Sequence, residues 1–383
     1  MRKRSKPMNT KGIFLALTFV VVMTVLPGLA VAQSNSKTGN TTDANAAGRD
    51  RVLTVMTRNM DTGTDFGPIF SATTPLQLLT AVGAAYAEVQ ASNIPERAAG
   101  IAKEIEANQP DLVGLQEVTT VHTGPFGGPA TTLVFDQLQS LLDELASRGL
   151  HYAPIAVLTN LDAEAPAFDS SFNLFDVRVT DHDVMLARTD LQVSEFKLEN
   201  IQVQHFTTNL TFFSPTLGLL TNPRGWISVN AKLRGKQYRF VTTHLESLSP
   251  AIQAAQAAEL VNGPGNTEVP VIFAGDFNSD AESSDAAANP AYPILLTAGF
   301  VDTWKQLHPN DPGFTWPLHG EDPFTSFSTP NERIDLIFSR NGPKGIMPFN
   351  VDLIGNNQST DLTPSGLWPS DHAGLIGSFK LEP

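Results

Sequence analysis

Eight polar residues stand in or just after short apolar runs, where a strand would end. They are Asn59 in MTRN, Glu117 in GLQEV, His244 in TTHL, Asp276 and Asn278 in AGDFNSD, Asp335 in RIDLIF, and Asp371 and His372 in PSDH. Loops at strand termini are where a rigid scaffold presents reactive groups. Oxygens of Asn59, Glu117 and Asp371 are hard donors suited to Mg²⁺ or Mn²⁺, and Asp335 could complete or approach that shell, with positions left for water and substrate oxygen. Asp276 and Asn278 are two apart. On an extended segment they would face one side, where a carboxylate and an amide can orient and deprotonate a water. Each residue alone also has an ordinary reading, because a carboxylate after a strand commonly caps a turn and Asp-x-Asn commonly makes an Asx-turn.

Composition narrows the chemistry. The 383 residues include no cysteine, which excludes disulfide scaffolds, thiolate zinc sites, iron–sulfur clusters and cysteine nucleophiles. Lys and Arg total 25 against 39 Asp and Glu, a formal charge of −14 that argues against holding long nucleic acid by counterion release alone, though a local basic groove remains compatible with it. At the N-terminus, Arg2, Lys3, Arg4, Lys6 and Lys11 precede an apolar run from Ile13 to Leu26, then Pro27-Gly28 and Ala30-Val31-Ala32. That order predicts a secretory signal peptide over 1–32, cut after Ala32, with an uncleaved anchor as the alternative. Either outcome puts the remainder outside the cytoplasm, secreted or periplasmic. Polar, aperiodic residues 33–50 read as a disordered linker, and 51–383 as one domain.

The elements that must position these groups alternate along the chain. A strand over 51–59 delivers Asn59. Helices follow over 75–90, with Leu76, Leu79, Val82, Tyr86 and Val89 on one face, and over 95–108, with Ala98, Ile101 and Ile105 on one face. A buried strand over 111–118 then places Glu117 at its end. Further on, the pattern predicts a helix over 133–148, strands over 183–187, 226–233 and 238–243, a helix over 252–261, a strand over 269–274, a helix over 292–298, and strands over 333–339 and 373–379. The strands over 226–233 and 238–243 read as a hairpin across Arg234 to Gln237. Helices interleaved with hairpins imply a mixed α/β layered sheet domain.

Taken together and in order, the six motifs resemble the endonuclease/exonuclease/phosphatase superfamily of metal-dependent phosphoesterases, over roughly residues 51–381. TRNMDTGTDF, PDLVGLQEV, HDVMLAR, PRGWISV, FVTTHLES, AGDFNSD, ERIDLIF and GLWPSDHAG are further similar to a secreted bacterial branch. The resemblance implies a DNase I-like four-layered α/β sandwich, two mixed sheets flanked by helices. It implies Mg²⁺ or Mn²⁺ as cofactor and hydrolysis of a phosphodiester, in a lipid head group or a nucleic acid, by in-line attack of water. A phosphomonoesterase, a dedicated DNase or RNase, and an inactive secreted binding module are the alternatives. His244 corresponds to a histidine that bonds a phosphoryl oxygen or protonates the leaving group, His372 to one paired with Asp335, and either Asp276 or His372 to the base. Arg224 in PRGW reads as a phosphate contact or as a surface residue beside a glycine turn. The expected partners are the substrate and, peripherally, a membrane, with the protein a monomer.

Two departures from the family pattern stand out. Asp183 in DHDVML occupies a position where many members carry glycine, and reads as a turn residue or a further acidic ligand. Segments 61–93 and 202–223 look like extra length. The second carries Phe206, Phe212, Phe213, Leu217, Leu219 and Leu220, which would suit a packed insertion or a lipid-contacting loop. His122, His151, His182, His205, His308 and His319 read as ordinary structural histidines.

Overall fold

The computed structural model describes residues 52–320, 327–341 and 345–381, so the expected signal peptide over 1–32 and linker over 33–50 lie outside the described residues. Strand β1 (Val52–Asn59) leads to helices α1 (Gly67–Ser71), α2 (Pro75–Ala91) and α3 (Ile94–Asn108), then β2 (Leu112–Pro125), β3 (Thr132–Asp136), α4 (Gln137–Ser147), β4 (Tyr152–Phe168) and β5 (Leu174–Arg188). The chain continues through β6 (Phe196–His205), β7 (Leu210–Ser214), β8 (Gly218–Asn222), β9 (Gly225–Leu233), β10 (Lys236–His244), α5 (Pro250–Asn262), β11 (Val271–Asp276) and α6 (Tyr292–Thr297). It closes with β12 (Val301–Asp302), α7 (Thr303–Leu307), β13 (Asp335–Arg340), β14 (Ile346–Ile354) and β15 (Gly374–Leu381).

One sheet has the order β14-β15-β1-β2-β5-β4, with β3 added to β2, and the other has the order β12-β13-β11-β10-β9-β6. Both are mixed: β1 runs parallel to β2 and β10 parallel to β11, while their other neighbours are antiparallel. Strand alternation turns Leu53, Val55 and Leu112 of the first sheet toward Ile227, Phe240 and Ile272 of the second, in one shared core. The outer face of the first sheet, with Met56 and Val113, is covered by Ile101 and Ile105 of α3 and Leu141 and Leu145 of α4. On the second sheet, Val241 and Phe273 meet Leu260 of α5 and Leu295 of α6. The result is the expected four-layered α/β sandwich. Burying each such side chain contributes roughly 1.5–3 kcal/mol, so the layers cannot part without losing many of these contributions at once.

Several elements depart from the sequence pattern. Helix α2 buries Leu78, Val82, Ala85 and Val89 and leaves Leu76 exposed, because a Thr74–Gln77 capping box starts the helix at Pro75 and puts Leu76 in its first turn. Residues 132–136 are strand, not helix. Leu133 and Phe135 pair with β2, and Asp136 starts α4 by accepting the Gln139 N–H at 2.9 Å. The pattern gives no sign of β4, whose Ala- and Pro-containing sequence is held extended by pairing with the long β5. Segment 202–223 is a packed insertion and an exposed surface at once. Phe206 is buried and Phe212 packs edge-on to Phe70, while the cross-strand pair Phe213 and Leu219 of the β7–β8 hairpin is 71% and 74% exposed.

The sheets approach closely where Gly114 of β2 faces Thr242 of β10. A Cβ on Gly114 would lie 2.2 Å from Thr242 Oγ1 and 2.6 Å from Thr242 Cβ. A threonine side chain is stiff at χ1, so Gly114→Ala should cost about 1–3 kcal/mol of stability, read as a lower urea midpoint at an unchanged m-value.

Candidate active site

The parallel pairs β1/β2 and β10/β11 end at one edge of the sandwich, and antiparallel β13 and β15 begin there. This is why motifs far apart in sequence converge. His244 and Asp276 are register partners at the ends of β10 and β11, and Asp276 is in turn opposite Asp335 at the start of β13. Glu117 arrives differently. It sits in a bulge of β2 between Leu115 and Val118 with φ of 56°, a left-handed conformation that re-aims its side chain. Ligating atoms of Glu117, His244 and Asp276 lie within 4.8 Å of one another, as do those of Asp276, Asp335 and His372.

Hydrogen bonds assign the protons. Arg224 Nη1 donates to His244 Nδ1 at 2.8 Å, and because a guanidinium only donates, Nδ1 must accept and the neutral ring carries its proton on Nε2. That Nε2 lies 3.5 Å from Asp276 Oδ2. Burial, with the charges of Arg224 and His372, pushes His244 well below its ordinary pKa and keeps the ring neutral. His372 is the opposite case. Its Nδ1 is 2.8 Å from Asp335 Oδ2, and against the downward push of burial the charges of Asp335 and Asp371 hold it well above its ordinary value, as an imidazolium. Its Nε2 faces Asp371 Oδ1 at 3.8 Å and Asp276 Oδ2 at 3.9 Å. Burial and the Asp335 charge push Asp276 up to about 6.

Four expected placements change. Asn59 does not turn its oxygen toward a metal position. That oxygen accepts the Asp61 N–H at 2.8 Å, while Nδ2 donates to Glu117 Oε1 at 3.0 Å and to Asp276 Oδ2 at 3.1 Å, so the amide orients two carboxylates. Asn278 does not share a face with Asp276, because the chain leaves extended geometry at Asn278, with φ of 48°. Its backbone N–H donates to Asp276 Oδ1 at 2.9 Å and its side chain to the Leu245 carbonyl at 3.0 Å. Asp183 is no turn residue. It is fully buried inside β5, and burial with the Asp181 charge pushes its carboxyl well above the ordinary range. Arg224 is half-buried against His244 rather than on the surface. Of the histidines read as ordinary, His182, His205 and His308 bond the carbonyls of Val118, Thr159 and Val351 at 2.8–2.9 Å.

A supporting layer escapes motif reading. Arg58, fully buried, makes a bidentate pair with Glu104 of α3, both bonds 3.0 Å, and also donates to the His372 carbonyl. Arg97 of α3 bonds the carbonyls of Met60, Asp61 and Pro369, joining the loops on either side of the site. Trp316 Nε1 donates to Asp371 Oδ2 at 3.1 Å. The sequence signal for the first two is a charge inside an apolar run, since a buried arginine must be paired.

Glu117 and Asp371 present hard oxygen donors close to Asp276. Burial and the Asp371 charge push Glu117 up to about 7, the mark of carboxylates gathered without enough positive charge. This donor set fits a divalent cation held by Glu117 and Asp371.

Residues 85–372 match the Endonuclease/Exonuclease/phosphatase family. The chain is 27% identical over 310 residues to nocturnin of Rattus norvegicus, covering 77% of this chain and 60% of that protein. It is 29% identical over 169 residues to tyrosyl-DNA phosphodiesterase 2 of the same species, covering 41% and 42%. These matches span between about two fifths and three fifths of the relatives' lengths. Among solved structures, an endonuclease/exonuclease/phosphatase family protein of Bacteroides thetaiotaomicron has a TM-score of 0.54 at 17% identity, covering 88% of this chain and 100% of its own. A mannosyl-6-phosphatase of that species has 0.51 at 17%, covering 85% and 99%. At these identities the two structures speak to the fold alone, and they share it across most of the described sandwich. With the motif order, the four layers and the convergent carboxylates and imidazoles, the match over 85–372 shows that the chain belongs to the endonuclease/exonuclease/phosphatase family.

Proposed function

We propose that the protein is a secreted or periplasmic, Mg²⁺-dependent phosphodiesterase that cleaves its substrate by in-line attack of water. The observation that carries this reading is the row His244–Asp276–Asp335–His372, in which a neutral N–H donor, a carboxylate and an Asp-held imidazolium stand side by side next to Glu117. Asp276, with a pKa near 6, accepts the proton of the attacking water. His244 donates its Nε2–H to a phosphoryl oxygen, and His372 supplies positive charge to the developing anion. Glu117 and Asp371 would hold the divalent ion, which when bound would supply Lewis-acid neutralisation of phosphate charge.

Arg224 acts here through His244. Arg224→Ala should lower kcat and raise the His244 pKa, read from its imidazole resonances across pH, because one of the charges holding that pKa down is gone. An unmoved His244 titration would show that Arg224 serves another purpose.

The structure favours a lipid head-group diester. An apolar cleft lies between α1, α2, the β4–β5 ribbon and the β7–β8 hairpin, lined by Phe66, Phe70, Tyr86, Phe212 and Leu220. It also takes in Thr64, two residues after the Thr62 N–H that bonds Glu117. A hydrocarbon chain could occupy it while the phosphate meets the site. Nucleic acid is the second reading, supported by the relative named tyrosyl-DNA phosphodiesterase 2. The deciding experiment assays the purified protein, with and without Mg²⁺, on sphingomyelin and phosphatidylinositol vesicles, plasmid DNA, RNA and a soluble bis-aryl phosphodiester. Vesicle binding should weaken on joint replacement of the exposed Phe213 and Leu219 by Ser, with soluble diester turnover unchanged. Salt-sensitive DNA cleavage without vesicle binding would instead leave the nuclease reading.

A further inference from the structure

Asn222 ends β8 and carries the one side-chain amide in the lining of the apolar cleft. Its Nδ2 donates to Glu246 Oε2 at 3.1 Å. Glu246 is fully buried and held on every side: Oε1 accepts the Leu248 N–H, the backbone N–H donates to Gln256 Oε1, and the carbonyl accepts from Gln253 Nε2, each at 2.8 Å. A carboxylate accepts and does not donate, so the amide must present Nδ2 to Glu246 and turn Oδ1 away from it. Among the described residues nothing donates to that oxygen. The hydroxyl groups of the lining are already engaged. Thr64 Oγ1 donates to Glu88 Oε2 at 2.5 Å, Tyr86 Oη accepts from Gln90 Nε2 at 3.1 Å, and Thr221 Oγ1 bonds Thr211 Oγ1 at 3.0 Å.

Position gives this oxygen a use. Asn222 stands two residues before Arg224, which bonds His244, and its partner Glu246 stands two residues after His244. Two residues of chain span at most about 7 Å, so Asn222 marks the end of the cleft that adjoins the row of catalytic groups. Phe66, Phe70, Phe212 and Leu220 line the rest. A hydrocarbon in the cleft, with its phosphate at the row, brings the atoms beside the phosphate past Asn222. The apolar chain displaces water from the amide oxygen, which then loses binding free energy unless the ligand returns a donor.

We propose that Asn222 is a specificity-determining residue whose side-chain oxygen accepts a hydrogen bond from an O–H or N–H group on the apolar part of the substrate, close to the phosphodiester. The substrate class is then a phosphodiester on a donor-bearing backbone, as in a ceramide, and not on a diacylglycerol, whose esters only accept. This rests on the lipid reading of the site and narrows it.

The test compares two vesicle lipids that share the phosphocholine head group, one built on ceramide and one on diacylglycerol, with the soluble bis-aryl phosphodiester as a third substrate. Wild type should hydrolyse the ceramide lipid with a kcat/KM about tenfold or more above that for the diacylglycerol lipid, and in Asn222→Leu the ratio should fall to within about twofold of unity. Equal hydrolysis by wild type, or a preference for the diacylglycerol lipid, overturns the proposal. So does a wild-type ratio that survives in Asn222→Leu, because the preference then comes from another part of the cleft. Should Asn222→Leu fail to fold, wild type is assayed on ceramide lipids that lack the hydroxyl or carry an ester in place of the amide. One of these changes should lower kcat/KM about tenfold, and unchanged values for both overturn the proposal. Cleavage of the soluble diester with neither lipid hydrolysed removes the lipid reading and this proposal with it, whereas equal hydrolysis of both lipids removes this proposal alone.

Discussion

Glu117→Gln should reduce turnover by a factor on the order of 10² or more and raise the Mg²⁺ concentration needed for half-maximal rate. Glutamine keeps the shape and one acceptor for Asn59 Nδ2 or the Thr62 N–H but loses the charge, so stability should stay within about 1–2 kcal/mol of wild type. Chelation should abolish activity and Mg²⁺ or Mn²⁺ restore it; full activity after chelation and dialysis would sink the metal-dependent reading. The same cluster sets a pH dependence. Glu117 has a folded pKa raised to about 7, so its stability contribution is present below its unfolded value and is lost as pH rises through 7. His372, also raised, loses its contribution above its unfolded value, about 6.5, as pH climbs through the raised one. His244, lowered, has the opposite sign, but its effect is complete above about 6.5. In chelator, urea midpoints should therefore fall from about pH 6.5 upward, and Mg²⁺ should flatten the fall. A flat profile in chelator would count against the charge assignment.

Asp276→Ala should lower kcat by about 10²–10⁴-fold, the range expected when a positioned base is removed. In the wild type, kcat/KM should rise as pH passes through about 6, where Asp276 ionises, and that limb should vanish in the variant. Asp335→Asn should keep the fold but weaken the hold on His372, lowering the imidazole pKa, as NMR titration would show. His205→Gln is the control. Its ring only bonds the Thr159 carbonyl, so it should shift stability and leave kcat/KM within roughly threefold. If Asp276→Ala unfolds the chain while activity per folded molecule is unchanged, the residue is structural.

Strand ends were legible because short apolar runs rich in β-formers are local, and so were α3 and the β9–β10 hairpin. The hairpin turn is even tighter than the pattern suggests: Leu233 pairs with Lys236, and Arg234 and Gly235 both take positive φ. β4 was not legible, because it is extended by its partner and not by its own composition. The phase of α2 was missed because its cap, and not its apolar count, sets where the helix begins.

Residue types and motif order, read alone, determine the donor set of oxygen and imidazole, the mixed sandwich and the family. They could not decide what each group does to its neighbours. Asn59 became an orienting amide because its partners, 58 and 217 residues away, are carboxylates that need a donor. The neutral His244 and the charged His372 are chemically the same residue, separated by whether an arginine or an aspartate meets Nδ1. Asp183 reads as a turn residue until β2 and β4 close over it, since burial belongs to the packed sheet and not to the tripeptide. Proton positions and pKa values follow from distances of a few ångströms across strands, and only the folded chain sets those distances.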